Sequence, residues 1–126
     1  MRSLLCLLLA GCGPATASLT VGLPLQVTSG ADRIQLSVFE SQTCEGLSLP
    51  LDGSIEASSQ QEFSRGALSD TTGQSAILSL ENVPAETELT LTAEVFGQGG
   101  SLQFQGCEEG LMVASEERKP VVLRLH

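Results

Sequence analysis

The chain of 126 residues contains no tryptophan, no tyrosine and a single histidine, His126 at the last position. Sugar-binding surfaces rely on flat aromatic rings with a polar edge, so the lack of Trp and Tyr argues against a lectin. Acid–base and nucleophilic catalysis usually recruit histidine, and a terminal one is expected to be a frayed end. Neither a G-x-S-x-G nor an S-x-x-K pattern occurs, and no glycine-rich phosphate loop follows a strand pattern. The sequence therefore predicts a protein that is not an enzyme and uses no cofactor.

Basic residues are also few. Six Lys and Arg stand against fifteen Asp and Glu, which gives a formal charge of −9. Such a chain repels the phosphate backbone, so nucleic acid is not an expected partner. It also repels anionic lipid head groups, so any attachment to a membrane would need a lipid and not a basic patch.

Long hydrophobic runs are missing as well. The one apolar segment near the start, LLCLLLA at 4–10, follows the positive charge of Arg2. A membrane-spanning helix needs about 20 apolar residues, whereas the apolar core of an export signal needs about 7–15. This segment therefore predicts an export signal, and the small residues that end it fit the groove of a signal peptidase.

The end of that segment, Leu9-Ala10-Gly11-Cys12, resembles the bacterial lipobox. The resemblance implies that the Cys12 thiol carries diacylglycerol, that cleavage precedes it, and that the new amino group is acylated. It divides the chain into a signal (1–11, short for this class), a lipidated tether (12–18) and one domain (19–126). In Gram-negative lipoproteins an Asp after the cysteine implies inner-membrane retention, so Gly13 implies an anchor in the outer membrane. The expected partners are the bilayer, through Cys12, and an unknown envelope or extracellular protein.

Two cysteines remain in the domain, Cys44 and Cys107. An even pair in an exported chain favours a disulfide, which would close a loop of about sixty residues and add about 4 kcal/mol of stability. Two buried free thiols, or half of a metal site, are the alternatives.

Apolar residues then recur with a period of two, the pattern of strands with one buried and one wet face. In ELTLTAEVF, for example, the polar set is Thr90, Thr92 and Glu94. The predicted strands are Arg33–Glu40, 75–80, Glu88–Phe96, 101–105 and 120–125. Asp52-Gly53 predicts a hairpin between 47–51 and 54–58, with Pro50 at a sheet edge, and 60–74 predicts a mobile loop. Six to eight short strands with regular turns predict an all-β antiparallel sandwich.

The stretch LSLENVPAETELTLTA, at 78–93, resembles a signature of the carboxypeptidase regulatory-like and Cna B-type domains, which are transthyretin-like, Ig-like β-sandwiches. Asn82, Val83, Pro84 and Ala85 match; Glu86 stands where the family often has Gly, and Leu89 where it often has Tyr. Such domains are usually spacers, stalks or accessory modules. Some form a Lys–Asn isopeptide bond, but here Asn82 precedes Lys119, the reverse of the family order.

The candidate binding residues are apolar side chains at unexpected places: Phe63 in the polar loop, and Phe39 and Phe96 on the parity opposite to the core set. For each of them the sequence leaves open a position at a strand end, packing under a loop, or an exposed apolar patch for a partner. No metal site is expected, because the acidic pairs Glu108-Glu109 and Glu116-Glu117 lack a calcium-loop pattern. The sequence thus predicts a membrane-anchored lipoprotein whose non-catalytic sandwich has a structural or protein-recognition role at the envelope. A Ca²⁺-dependent adhesion module and a periplasmic hydrolase or enzyme inhibitor are the alternatives.

Overall fold

The period-two segments form strands in the computed structural model of the chain. It describes residues 16–28, 30–47, 51, 53–64, 71–72 and 75–126. One turn of α-helix, α1 (Leu25–Thr28), follows the first strand, and a 3₁₀ turn (Gln98–Gly100) precedes the seventh. The strands described are β1 (Thr16–Pro24), β2 (Arg33–Glu40), β3 (Ser59–Ser64), β4 (Thr71–Thr72), β5 (Ser75–Pro84), β6 (Glu88–Phe96), β7 (Leu102–Met112) and β8 (Arg118–Val122).

These strands form two four-stranded sheets. The order is β4-β5-β1-β8 in the first sheet and β3-β2-β6-β7 in the second. The predicted all-β sandwich is confirmed, and so is the predicted disulfide between Cys44 and Cys107. One pair departs from the expected antiparallel arrangement, because β8 runs parallel to β1 with Val21 opposite Val121.

The core lies between the inner faces of the sheets. Alternate residues of each strand point inwards, as the period of two requires. Full burial of such a side chain is worth about 1.5–3 kcal/mol, so this layer supplies most of the stability of the domain. Its fully buried members include Leu19, Val21, Leu23 and Leu80 from the first sheet, and Ile34, Leu36, Val38, Leu91 and Val95 from the second.

The other face of β6 is buried too, and here the predicted wet face is wrong. Thr90, Thr92 and Glu94 are 1%, 0% and 4% exposed, although their alternation with leucines predicts solvent contact. They lie under the chain that connects β2 to β3. We call its described residues, 41–47, 51 and 53–58, the strap. A polar strand face is therefore covered by a second layer that periodicity alone does not reveal.

Two predictions for the residues on either side of position 59 are wrong. Positions 54–58, expected as a strand after the hairpin turn, form an irregular part of the strap, and Asp52 and Pro50 lie outside the described residues. The expected loop at 60–74 instead begins within an edge strand, β3, where Phe63 pairs with Ile34 of β2. An edge strand with one wet face can carry the run SQQE, because only every second residue meets the core.

Both ends of the domain are tied to strands. Strand β1 starts at Thr16, three residues before Leu19, where we expected the domain to begin. Thr16 accepts a backbone hydrogen bond from Glu116, and Ser18 donates one to Glu117, at 2.9 Å each. The upstream chain therefore enters the domain at the same end as the turn that precedes β8.

The last strand ends earlier than expected. β8 covers Arg118–Val122, whereas the sequence predicts 120–125. Leu123 still donates to the carbonyl of Gly22 in the first sheet, but His126 exchanges both backbone hydrogen bonds with Gln105 of β7. The C-terminal segment thus leaves one sheet and joins the edge of the other. By strand alternation from Leu123, the nitrogen of Pro120 faces away from β1, where its missing N–H costs no bond.

Candidate functional site

The proposed lipid attachment point, Cys12, and the whole leader lie outside the described residues. None of the described helices is long and apolar enough to cross a bilayer. The surfaces and cavities that the described residues form are the remaining places to look for a site.

The strap is fastened to the second sheet at several points. At its start, the Cys44 and Cys107 sulfur atoms are 2.12 Å apart, and the Cys44 amide donates to Glu109 Oε1 at 2.8 Å. Close by, the Thr90 hydroxyl donates to the carbonyl of Gln42 at 2.6 Å. At its end, the Ser58 amide donates to the carbonyl of Val38 at 2.7 Å. The strap is therefore a built part of the fold, joined covalently to β7.

Polar side chains of the sheet lie beneath the strap. The Leu51 amide donates to Glu94 Oε2 at 3.0 Å, and Gln60 Nε2 donates to Ser37 Oγ at 2.9 Å. Ser37 and Thr92 are both 0% exposed, and Thr92 Oγ1 has no hydrogen-bond partner among the described residues. Four of the five polar residues that are buried in the described part of the chain lie on this face of the sheet: Ser37, Thr90, Thr92 and Glu94.

A cavity of about 340 Å³ lies at this place, and we call it the strap cavity. Its floor on the sheet carries one buried carboxylate, Glu94, and the amides of Gln35 and Gln60. Arg33 forms one wall; its guanidinium lies 3.9 Å from the ring centre of Phe96 and pairs with Glu62 at 3.0 Å. The described residues that line it are Arg33, Gln35, Phe39, Leu51, Gly53, Ile55, Gln60, Glu94 and Phe96.

The three phenylalanines predicted to contact a partner occupy different environments. Phe63 is 8% exposed and belongs to the core between the sheets, so it is not a surface group. Phe39 is 1% exposed, and it lines the strap cavity together with half-buried Phe96. The alternation of residues along β2 and β6 correctly places Phe39 and Phe96 on the outer face of their sheet. Of the placements that the sequence leaves open, Phe39 takes the one under a loop, because it is buried beside strap residues Leu51 and Ile55.

A second depression, of about 540 Å³, lies at the end of the sandwich near Thr16. Glu40 and Glu56 both line it, and the Ser58 hydroxyl donates to Glu40 Oε1 at 2.9 Å. Both glutamates are exposed. A hydrolase with two carboxylates needs one of them held in an apolar surrounding, so this pocket does not have the arrangement that would favour that alternative.

Asn82 lies within β5, near the end of that strand and at the same end of the sandwich. Asn82 and Glu86 both have left-handed backbone conformations, with φ of 60° and 59°. Asparagine tolerates this conformation better than most residues, and glycine adopts it freely. Asn82 thus has a conformational role where the register of β5 with β1 shifts, between the pairs Ala17–Val83 and Leu19–Leu80. Glu86 follows in the turn between β5 and β6, and it adopts the geometry for which glycine is preferred. Lys119 lies opposite Leu19 in the register between β8 and β1.

The acidic pairs considered for calcium are separated by the fold. Glu108 and Glu109 lie on β7, where Glu109 accepts from the Cys44 amide. Glu117 Oε1 accepts from the amide of Ala114, at 2.8 Å, in the turn before β8. Within the residues that the structure describes, no three His, Cys, Asp or Glu side chains are grouped so that they could hold a metal ion.

Comparison with known proteins finds no matching family, no matching curated protein and no matching solved structure.

Proposed function

We propose that this chain is a bacterial lipoprotein, anchored through acylated Cys12, whose non-catalytic sandwich has a structural or protein-recognition role at the cell envelope. The observation that carries the proposal is the junction Leu9-Ala10-Gly11-Cys12 at the end of a short apolar segment. Two acyl chains are enough for stable attachment, since each buried CH₂ contributes about 0.8 kcal/mol. Gly13 supports placement at the outer membrane if the host has two membranes.

The start of the domain supports a close approach to the membrane. Thr16, the first residue of β1, is the fourth residue after Cys12. Four extended residues span at most about 14 Å, so the sandwich would sit with the Thr16 end facing the bilayer. The loss of Arg2 with the leader leaves five basic and fifteen acidic residues, a formal charge of −10, which holds the domain off anionic head groups.

The turn that contains Glu86, between β5 and β6, supports kinship with the carboxypeptidase regulatory-like and Cna B-type domains. Glu86 stands where that family often has glycine, and its φ of 59° is one that glycine favours. Those domains act mostly as spacers or accessory modules, and the disulfide-linked sandwich suits the same kind of work outside the cytoplasm. The recognition role therefore rests on architecture and on this turn.

The anchor is tested with two serine variants of the full chain, expressed in a Gram-negative host that is fed radiolabelled palmitate. Cys12→Ser removes the proposed acceptor. Cys6→Ser is the matched control, because it makes the same change in the same leader, six residues earlier. We expect the parent and Cys6→Ser to take up label and fractionate with membranes, and Cys12→Ser to do neither.

Mass spectrometry of the labelled material gives an independent measurement. The proposal requires an amino-terminal residue that is Cys12 carrying diacylglycerol and an acyl chain. An intact leader on membrane-bound material, or label that persists in Cys12→Ser, would show that the proposal is wrong. For the recognition role, photocrosslinking in intact envelopes should yield a specific protein adduct, whereas adducts to lipid alone would count against it.

A further inference from the structure

The strap cavity carries a buried acidic side chain, Glu94, that has no cationic side chain paired with it among the described residues. Glu94 is 4% exposed, and its Oε2 accepts from the Leu51 amide. Arg33 lines the same cavity, but its ion pair is with Glu62, and its charge lies on the ring of Phe96. Within the described residues, no Lys or Arg forms an ion pair with Glu94. A buried charge without a counter-ion is costly, so a cation that enters the cavity would recover much of that cost.

The rest of the lining defines what kind of cation would fit. The carboxamides of Gln35 and Gln60 offer acceptor oxygens beside Glu94, and an ammonium group is a pure donor with three N–H bonds. The lining also has apolar parts, from Phe39 and Phe96 of the sheet and Leu51 and Ile55 of the strap. The volume of about 340 Å³ falls within the usual range of small-molecule sites, about 300–1,000 Å³.

We infer that the strap cavity binds a small organic monocation, a primary amine on a compact apolar body, with the ammonium group at Glu94. Arg33 makes the site selective, because a second positive charge on the ligand would meet its guanidinium. The acidity of the whole chain, −9 in formal charge, raises the local concentration of such cations. This binding is separate from the proposed lipid anchor and needs only the folded domain.

The test is isothermal titration of the full chain, held in the same detergent in every arm, with benzylamine as the probe. Benzyl alcohol has the same ring without the charge, and benzoate has the opposite charge. We expect saturable binding of benzylamine at one site per chain with a Kd near or below about 1 mM, and no binding of the two analogues. Equal binding of benzyl alcohol would overturn the inference, as would the absence of saturable binding.

Variants separate the site from general charge attraction. Glu94→Gln should weaken binding at least about tenfold. Glu108→Gln makes the same change of charge on an exposed position of β7 and should alter binding less than about twofold. Equal weakening by the two would assign the effect to the net charge and overturn the inference.

A third variant keeps the test decisive if Glu94→Gln disturbs the strap. Ile55→Trp enlarges a side chain on the strap wall of the cavity and leaves Glu94 unchanged. It should abolish benzylamine binding while its far-UV spectrum and melting temperature stay close to those of the parent. Undiminished binding by Ile55→Trp would place the amine elsewhere and would also overturn the inference. If the parent chain took up no palmitate in the anchor experiment, the results expected here for benzylamine would stay the same, because binding depends only on the folded domain.

Discussion

Gly106 of β7 lies directly against the backbone of Arg124, so close that a Cβ atom on Gly106 would collide with the Arg124 carbonyl oxygen. The contact marks the place where the C-terminal segment crosses from one sheet to the other. Next to it, Gln105 and His126 exchange their backbone hydrogen bonds at 3.0 and 2.9 Å. The C-terminal segment can therefore close this side of the sandwich only because Gly106 has no side chain.

We expect Gly106→Ala to lower the free energy of unfolding by about 1–3 kcal/mol, because the backbone of the crossing segment must move to make room. Gly97→Ala is the matched control. The three atoms nearest to a Cβ on Gly97 all belong to the end of the Gln103 side chain, which is exposed and can rotate away. Urea denaturation of both variants measures the difference, and equal losses would contradict the crossing geometry.

Removal of the disulfide should destabilise the domain strongly. Cys44 and Cys107 are 63 residues apart, and a loop of that size corresponds to about 4 kcal/mol on the chain-entropy model. We expect the double variant Cys44→Ser/Cys107→Ser to lose this amount in urea denaturation. Dithiothreitol should reduce the stability of the parent by a similar amount and leave the double variant unchanged. A parent that is insensitive to the reductant would refute the bridge.

The backbone at Glu86 gives a prediction in the opposite direction. An L-residue in the left-handed region is strained by about 1–2 kcal/mol, and glycine is not. Glu86→Gly should therefore raise the free energy of unfolding, by up to about 1 kcal/mol after the greater entropy of the unfolded glycine is counted. Glu86→Val should lower it, because a β-branched residue tolerates this conformation worst. Thermal denaturation followed by circular dichroism ranks the three proteins, and a glycine variant less stable than the valine variant would contradict the conformation.

Burial of Phe63 separates a core role from a binding role. At 8% exposure Phe63 packs within the main core, so Phe63→Ala should cost about 3–5 kcal/mol. Met112, which is 55% exposed, is the control, and Met112→Ala should change stability by no more than about 0.5 kcal/mol. Chemical denaturation compares them. A Phe63→Ala protein as stable as the parent would return Phe63 to the surface, where the sequence pattern suggested it.

Some of this architecture follows from the sequence alone. Leu36, Leu91 and Val95 occupy alternate positions of their strands, and a residue's side of a strand depends only on its place in the chain. The Cys44–Cys107 pair follows from counting the cysteines left after the leader. The predicted leader is a local sequence pattern that does not depend on the fold. The prediction rests on residues 1–13, and the palmitate-labelling experiment tests it.

Contacts between distant residues could be decided only in the folded chain. The period of two distinguishes the faces of β6, but it does not say that the strap lies over Thr92 and Glu94. The parallel pairing of β1 with β8 joins residues about a hundred positions apart in the chain. The crossing of Arg124 over Gly106 joins residues about twenty positions apart. Which strands pair depends on which surfaces meet after the strands have formed. The local pattern does not decide it, because every strand with one apolar face has the same alternation. The strap cavity, the most specific chemical feature of the domain, exists only because of these long-range contacts.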